Sequence, residues 1–336
     1  MIQLVLWGLA ASAFFSATFI LNRAMSLSGG HWMWSAALRY FHMLWILALW
    51  LVTRHGWKYF TEVLGIFRTH ALFWITAGTI GFGVFYGALC FAADHAPGWI
   101  VAATWQITIL ATPLVLWAFK RPVPYVGVLY TGVIFLGIVL VHVQQVDEAT
   151  PVREASLGAL CVVLAAFAYP TGNQMLNAAR HGGFEKIPFV PHTHLRDAPT
   201  CVLLMTLGSV PFWIVLWTMV RPDPPDTSQW LQTGIVALSS GVVATSLFYK
   251  ARNASHAPMA IAAVDATQSG EVVFSLLGEI LLLHGAWPTL WGWVGLSLIV
   301  VGLVGYCLGN AQTGLGRRVF SRASPLETRP RGLPDP

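Results

Sequence analysis

The chain has 336 residues, of which 56% are hydrophobic and 10% charged, with a net charge of +5 and a mean hydropathy of +0.65. A soluble domain carries about 25% charged residues, so this set cannot solvate a surface over 16 Trp, 19 Phe and 8 Tyr. A soluble enzyme, a disordered chain and a nucleic-acid binder are excluded, and the composition predicts an all-α integral membrane protein.

Long stretches poor in charge recur along the chain at 2–21, 32–52, 71–92, 97–118, 123–143, 156–178, 199–220, 230–249, 258–283 and 287–310. At ~1.5 Å per residue, about 20 residues of helix cross a ~30 Å hydrocarbon core. Barrel strands would run to only ~10 residues with strict alternation. These stretches, numbered segments 1 to 10, therefore predict ten transmembrane helices. Segment 1 lacks a basic n-region and a small-residue cleavage site, and reads as a retained helix.

Loop charge sets the expected orientation. With the N-terminus inside, 15 of the 19 Lys and Arg residues fall on inner loops or the tail, including Arg54, Lys58, Lys120, Arg121, Lys186, Lys250 and Arg252. Only Arg23, Arg153 and Arg221 fall outside, and Arg39 lies within segment 2. Both termini are expected inside. The four cysteines all lie in apolar stretches without CxxC spacing, which predicts packing roles. The tail 311–336, rich in Pro, Arg and Ser, is expected to be disordered, basic and cytoplasmic, close to anionic headgroups.

The ten segments read as two sets of five. A shift of 161 positions lays His95-Ala96-Pro97 on His256-Ala257-Pro258, each just before a helix. A shift of 153 lays Ala13, Phe14 and Thr18 on Ala166, Phe167 and Thr171. An odd number of helices per unit inverts the second copy. This divides the chain into a first repeat at 1–145, an outer linker at 146–155, and a second, inverted repeat at 156–310. Inverted repeats are a common construction of secondary transporters, with substrate bound near the midplane.

Particular residues carry a family likeness. They are Leu21-Asn22-Arg23, Ser28-Gly29-Gly30-His31-Trp32-Met33-Trp34, Leu38-Arg39-Tyr40, Gly81-Phe82-Gly83 and Phe85-Tyr86. To these add Pro97-Gly98-Trp99, Thr104-Trp105-Gln106-Ile107-Thr108 and Ala166-Phe167-Ala168-Tyr169-Pro170 with Gly172-Asn173. In the second half they continue with Ser239-Ser240-Gly241-Val242, Ala266-Thr267-Gln268-Ser269-Gly270-Glu271 and Leu277-Gly278-Glu279. Over about residues 1–310 the chain resembles the drug/metabolite transporter superfamily, and within it the multidrug resistance efflux transporter family. The resemblance implies a carrier of small molecules.

Only Arg39, Asp265, Glu271 and Glu279 place a charge inside the segments. A charge at the bilayer centre costs at least ~2.5–3.5 kcal/mol on insertion scales, so each needs a reason. Counting from Pro258, Glu271 lies ~20 Å along segment 9, near the middle, and Glu279 ~31 Å along, near the outer face. Asp265, Gln268 and Glu271 form a polar stripe, whereas segment 4 offers Thr104, Ile107 and Leu110 at the matching positions. Gly270 loosens the helix beside Glu271. A desolvated carboxylate there holds either a proton or a cation, which suffices for antiport. The alternative role of Glu271 is an ion pair with Arg39. Glu279 is assigned a gating or structural role, and Asp265 lies within reach of Lys250 or Arg252.

Tyr86, Trp105, Gln106, Tyr169 and Asn173 are candidates for a substrate pocket, in which an aromatic ring attracts a cation. Pro170 and Gly172 are expected to interrupt segment 6 and free carbonyls for a cavity. His181, His192 and His194 lack a clear fourth ligand, and no metal is assigned. No nucleotide-binding glycine pattern or nucleophile elbow occurs.

The sequence therefore predicts a proton-coupled exporter of cationic or amphipathic molecules in a bacterial-type inner membrane. It is not an enzyme and has no cofactor. Its partners are a small-molecule substrate, protons and membrane lipid, with no nucleic acid, as a monomer or homodimer. The alternatives are an amino-acid or metabolite carrier, with Arg39 on a substrate carboxylate, and a membrane-embedded scaffold or enzyme.

Overall fold

A computed structural model of the chain describes residues 2–121, 128–147, 151–182, 184–190, 192–255 and 257–312. The start of segment 5, His256 of the repeated triplet, most of the predicted outer linker's first half and the tail beyond Gln312 lie outside them. The described residues are helical, without a strand. Among the described residues, nine helices are long and apolar enough to cross a membrane. They are Ile2–Leu27, Trp32–His55, Ala71–His95, Gly98–Ala118, Val152–His181, Ala198–Val220, Thr227–Arg252, Met259–Leu283 and Leu290–Gly309. At the fifth position stands Val128–Asp147, whose apolar stretch Leu129–Gln145 is shorter.

Large apolar side chains stay on the outside of these helices. Leu49, Leu72, Trp117, Leu160, Met219, Leu281 and Val301 are all exposed. An apolar outer surface on so many helices needs lipid around it. Without a hydrophobic force between helices in lipid, close packing must hold them, and small residues supply it. Segments 3 and 6 touch backbone to backbone where Gly172 meets Gly81, and segments 5 and 10 where Gly137 faces Gly295.

The contacts between segments follow one pattern. Segment 1 packs on segments 8 and 9, and segment 6 packs on segments 3 and 4. Segments 2 and 7 meet, as do 4 and 9, and 5 and 10. Exchanging segments 1–5 for 6–10 leaves this set of pairings unchanged.

The backbone irregularities follow it too. Segments 3 and 8 each widen into a π-helical stretch, at Thr79–Val84 and Ala237–Ala244. Segments 4 and 9 each break, after Trp105 and at the 3-10 turn Thr267–Ser269. Segment 6 does not break: Val152–His181 is one helix with Pro170 inside it. This corrects the expected interruption, since segment 6 packs continuously on segments 3 and 4 and the breaks fall on those neighbours.

One further element corrects the expectation of a plain inner loop between segments 2 and 3. Trp57–Thr69 is a helix that buries Val63 and Ile66 and leaves Trp57 exposed. It carries the 192–197 stretch: His194 Nε2 lies 2.8 Å from Glu62 Oε2 and its ring stacks 4.0 Å from Tyr59. Tyr59 Oη is 3.0 Å from Thr200 Oγ1, while His181 bonds back to Asn177 in its own helix.

Candidate functional site

Segment 9 supplies the acidic side chains. Its backbone breaks at Thr267–Ser269, and Gly270–Leu283 resumes as helix. At the break the Thr267 carbonyl accepts the Gly270 N–H and also the hydroxyl of Ser12 of segment 1, at 2.6 Å. Gly8, one turn earlier in segment 1, leaves the room that Thr267 fills. Segment 1 thus closes over the break, and Gly270 sits against Ser12 and Leu9.

Glu271 follows in the first turn, only 7% exposed, with no hydrogen bond or ion pair to another described residue. Ser275 is fully buried one turn on, and its hydroxyl has no partner among the described residues. Another turn brings Glu279, 4% exposed. Residues four apart lie on one helix face, so the polar ladder is Glu271, Ser275 and Glu279.

The expected stripe of Asp265, Gln268 and Glu271 is split by the 3-10 turn, with Gln268 half-buried at it. Asp265 is bound by Arg252, whose Nε donates to Oδ1 at 2.9 Å. The sequence reading missed Ser275, although its spacing from both acids is visible in the chain.

The expected pairing of Arg39 with a carboxylate on segment 9 is also corrected. The partner of Glu279 is Arg23 of segment 1, at 4.0 Å, and Glu279 Oε2 accepts the Gly98 N–H at 2.9 Å. Segment 1, not segment 2, packs along segment 9. Arg39 instead donates from Nη2 to Ser240 Oγ of segment 8 at 3.0 Å and lies 4.1 Å above the Tyr86 ring. Tyr86 is fully buried and donates to Asn22 Oδ1 at 3.2 Å. Tyr40 joins the group, stacked with Phe82 at 5.2 Å and Trp213 at 5.7 Å.

The predicted pocket residues therefore divide. Trp105 and Tyr169 come together around Phe85, with ring centroids 5.2 Å and 4.9 Å from it. Tyr86, the next residue along segment 3, points instead toward Arg39. Gln106 is buried and donates to Ala102 O in its own helix at 3.3 Å. Asn173 is half-buried on segment 6, one residue beyond Gly172. Among the described residues, no group of three or more His, Cys, Asp or Glu is placed to hold a metal ion.

Two shallower hollows lie at the ends of the helices. One, of about 390 Å³, is lined by His31, Asp94, Asp223, Asp226 and Gln229. The other, of about 350 Å³, lies between the Trp57–Thr69 helix and Val190 and His192.

Known proteins resemble the chain over almost its full length. A protein 39% identical over 313 residues, "Uncharacterized protein YjlA" of Bacillus subtilis, covers 88% of this chain and 92% of its own. An "Uncharacterized 42.1 kDa protein" of Shouchella clausii is 34% identical over 281 residues, 80% of this chain and 69% of its own. A solved structure described as "Crystal structure of protein" superposes with a TM-score of 0.52 at 14% identity, over 92% of this chain and 98% of that one. At that identity the likeness is one of fold. The family model described as "EmrE: Putative multidrug resistance efflux transporter" matches residues 2–312. With its apolar helices and near-complete family match, the chain belongs to this EmrE-type family of multi-pass membrane transporters.

Proposed function

We propose that the chain is a secondary-active exporter that moves small cationic or amphipathic organic molecules out of the cell in exchange for protons. The observation that carries the proposal is Glu271. It lies about midway along segment 9, ~20 Å from Pro258 at ~1.5 Å per residue, and no described side chain neutralises it. A carboxylate in so apolar a place is stable when it holds a proton, or when a cation replaces that proton. Proton and substrate cation then exclude each other, which is the requirement for antiport. The Phe85, Trp105 and Tyr169 rings supply a wall for the apolar part of a substrate and a face for its charge.

In this reading all ten segments cross the inner membrane as two inverted units of five, with both termini in the cytoplasm. The paired irregularities in segments 3 and 8 and in 4 and 9 support it. So does the loop charge: Lys250 stands 3.9 Å over the Trp7 ring, so the start of segment 1 lies at the end where basic residues gather.

The test is Glu271→Gln, which keeps shape and removes the titratable proton. In liposomes with an imposed pH gradient, efflux of the cationic dye ethidium should fall to background while the melting temperature holds. Glu271→Asp should keep part of the flux with a shifted pH optimum. Normal flux per folded molecule in Glu271→Gln ends the proposal.

A further inference from the structure

The second charge of interest within the helices, Arg39, is half-buried and has no counterion among the described residues, and its surroundings are rich in donors and short of acceptors. The Ser240 hydroxyl gives its hydrogen to Val236 O at 3.0 Å, and its oxygen accepts from Arg39 Nη2. The Tyr86 hydroxyl gives its hydrogen to Asn22 Oδ1. That leaves Arg39 Nε–H and Asn22 Nδ2–H buried with no acceptor among the described residues. Asn22 is only 3% exposed. The ion pairs among the described residues involve Arg23, His194 and Arg252, not Arg39. Each unmade buried bond is costly, and an uncompensated charge costs more. Two orphaned donors and an unneutralised guanidinium converge on the same tyrosine.

From this arrangement we propose that Asn22, Arg39 and Tyr86 form a subsite for an anionic oxygen group, a carboxylate, on the transported molecule. The guanidinium offers the charge and a free N–H, and the asparagine amide a second donor. Tyr40, Phe82 and Trp213 wall the place with stacked rings, which suits an aromatic or apolar body behind the carboxylate. Ser240 anchors the guanidinium from segment 8, so the subsite joins segments 1, 2, 3 and 8 and links the two halves through one group. The subsite rests on the reading of the chain as a carrier and extends its substrate class to molecules that carry an acid beside their apolar part.

The experiment uses purified full-length protein in detergent and carboxylate-free buffer, with phenylacetate and its neutral isostere phenylacetamide as probes. Melting temperature and tryptophan fluorescence are followed against probe concentration. Phenylacetate should stabilise saturably, and phenylacetamide should bind at least about tenfold more weakly. Arg39→Gln should abolish the difference between them. Because that variant can fail to fold, Asn22→Asp provides an independent arm: it supplies the missing anion, so it should raise the melting temperature and remove the response to phenylacetate. Equal responses to acid and amide, no response of the wild type to the acid, or an undiminished response in Asn22→Asp would overturn the subsite. Proton-driven flux is measured separately. Acid-selective binding without flux sinks the transport reading alone, and flux without acid-selective binding sinks the subsite alone.

Discussion

The two halves of the chain share their bends and differ in their chemistry. Segments 3 and 8 widen at corresponding places, and segments 4 and 9 break at corresponding places. Beyond the break, however, Thr108–Ala118 of segment 4 buries only Ala111 and Val115. Gly270–Leu283 of segment 9 buries two glutamates and Ser275 among its apolar residues. Where segment 9 has Gln268 and Glu271, segment 4 has Ile107 and Leu110. In the proposed repeat, the paired bends give two matched places about which the halves would rock. A single carboxylate suffices for exchange, and a second would add ~2.5–3.5 kcal/mol or more of insertion cost. Symmetry thus belongs to the scaffold, and asymmetry to the ion.

The sharpest way to break this comparison is to make the same change in both halves. Glu271→Gln should take proton-driven flux to background, whereas Leu110→Gln at the matching place should leave flux within about twofold, as expected for a substitution outside the coupling group. Equal losses in reconstituted vesicles would mean that both halves carry the coupling, and would remove the asymmetry.

The next effect is on stability. Segment 4 starts at Gly98, whose N–H is held by Glu279 from segment 9. Among the described residues, no acid ties the start of segment 9 in return. Glu279→Ala leaves a buried N–H unmade and Arg23 without its carboxylate, at a cost of about 1–3 kcal/mol. Glu279→Gln keeps an acceptor for Gly98 and should lose less. Melting temperatures of the two variants in one detergent give the order, and equal losses would show that the charge, not the cap, matters.

Much of the scaffold was legible in the chain, because apolar length is read directly from charge-free stretches. The proposed repeat rests in the sequence on His95-Ala96-Pro97, and the depth of Glu271 on its distance along segment 9. The partners were not. Which face of segment 2 meets which neighbour depends on tilt and rotation set by packing, so Arg39 was assigned to segment 9 although Ser240 and Tyr86 hold it. The pairing of Asp265 with Arg252 was within reach because both lie near one short connection. Pro170 misled because a proline inside a packed membrane helix need not break it, whereas the breaks in segments 4 and 9 carry no proline at the turn itself. Asn22 and Ser275 went unmarked as functional because nothing in the sequence tells that their polar atoms lack partners.

A smaller effect separates the two wide turns. The wide turn of the first half packs its Gly81 against Gly172 of segment 6, so a methyl group on Gly172 meets backbone of that turn that cannot yield. In the second half, a methyl on Gly241 meets the flexible Met43 side chain at 3.4 Å, an ordinary contact. Gly172→Ala should therefore cost about 1–3 kcal/mol through overpacking, and Gly241→Ala little. Thermal melting decides, and equal costs would mean that the wide turns are packed alike.

The smallest expected effect concerns the Trp57–Thr69 helix, which the first half has and the short Arg221–Asp226 connection of the second half lacks. It bears on the His192 and His194 pair, whose rings lie 4.4 Å apart. Burial, and then the neighbouring His194, hold His192 below its ordinary pKa of 6.5, against the pull of Glu62. The unfolded chain therefore binds this proton more readily than the folded one. Between the folded pKa and about 6.5, stability should rise with pH, and the loss on acidification should stop growing below the folded value. His192→Gln removes the titration. The variant should lose less melting temperature than the wild type between pH 7.5 and 5.5, by a small margin because the site is largely open to water. A wild type and variant that fall in parallel would show that this extra helix of the first half carries no pH sensitivity of its own.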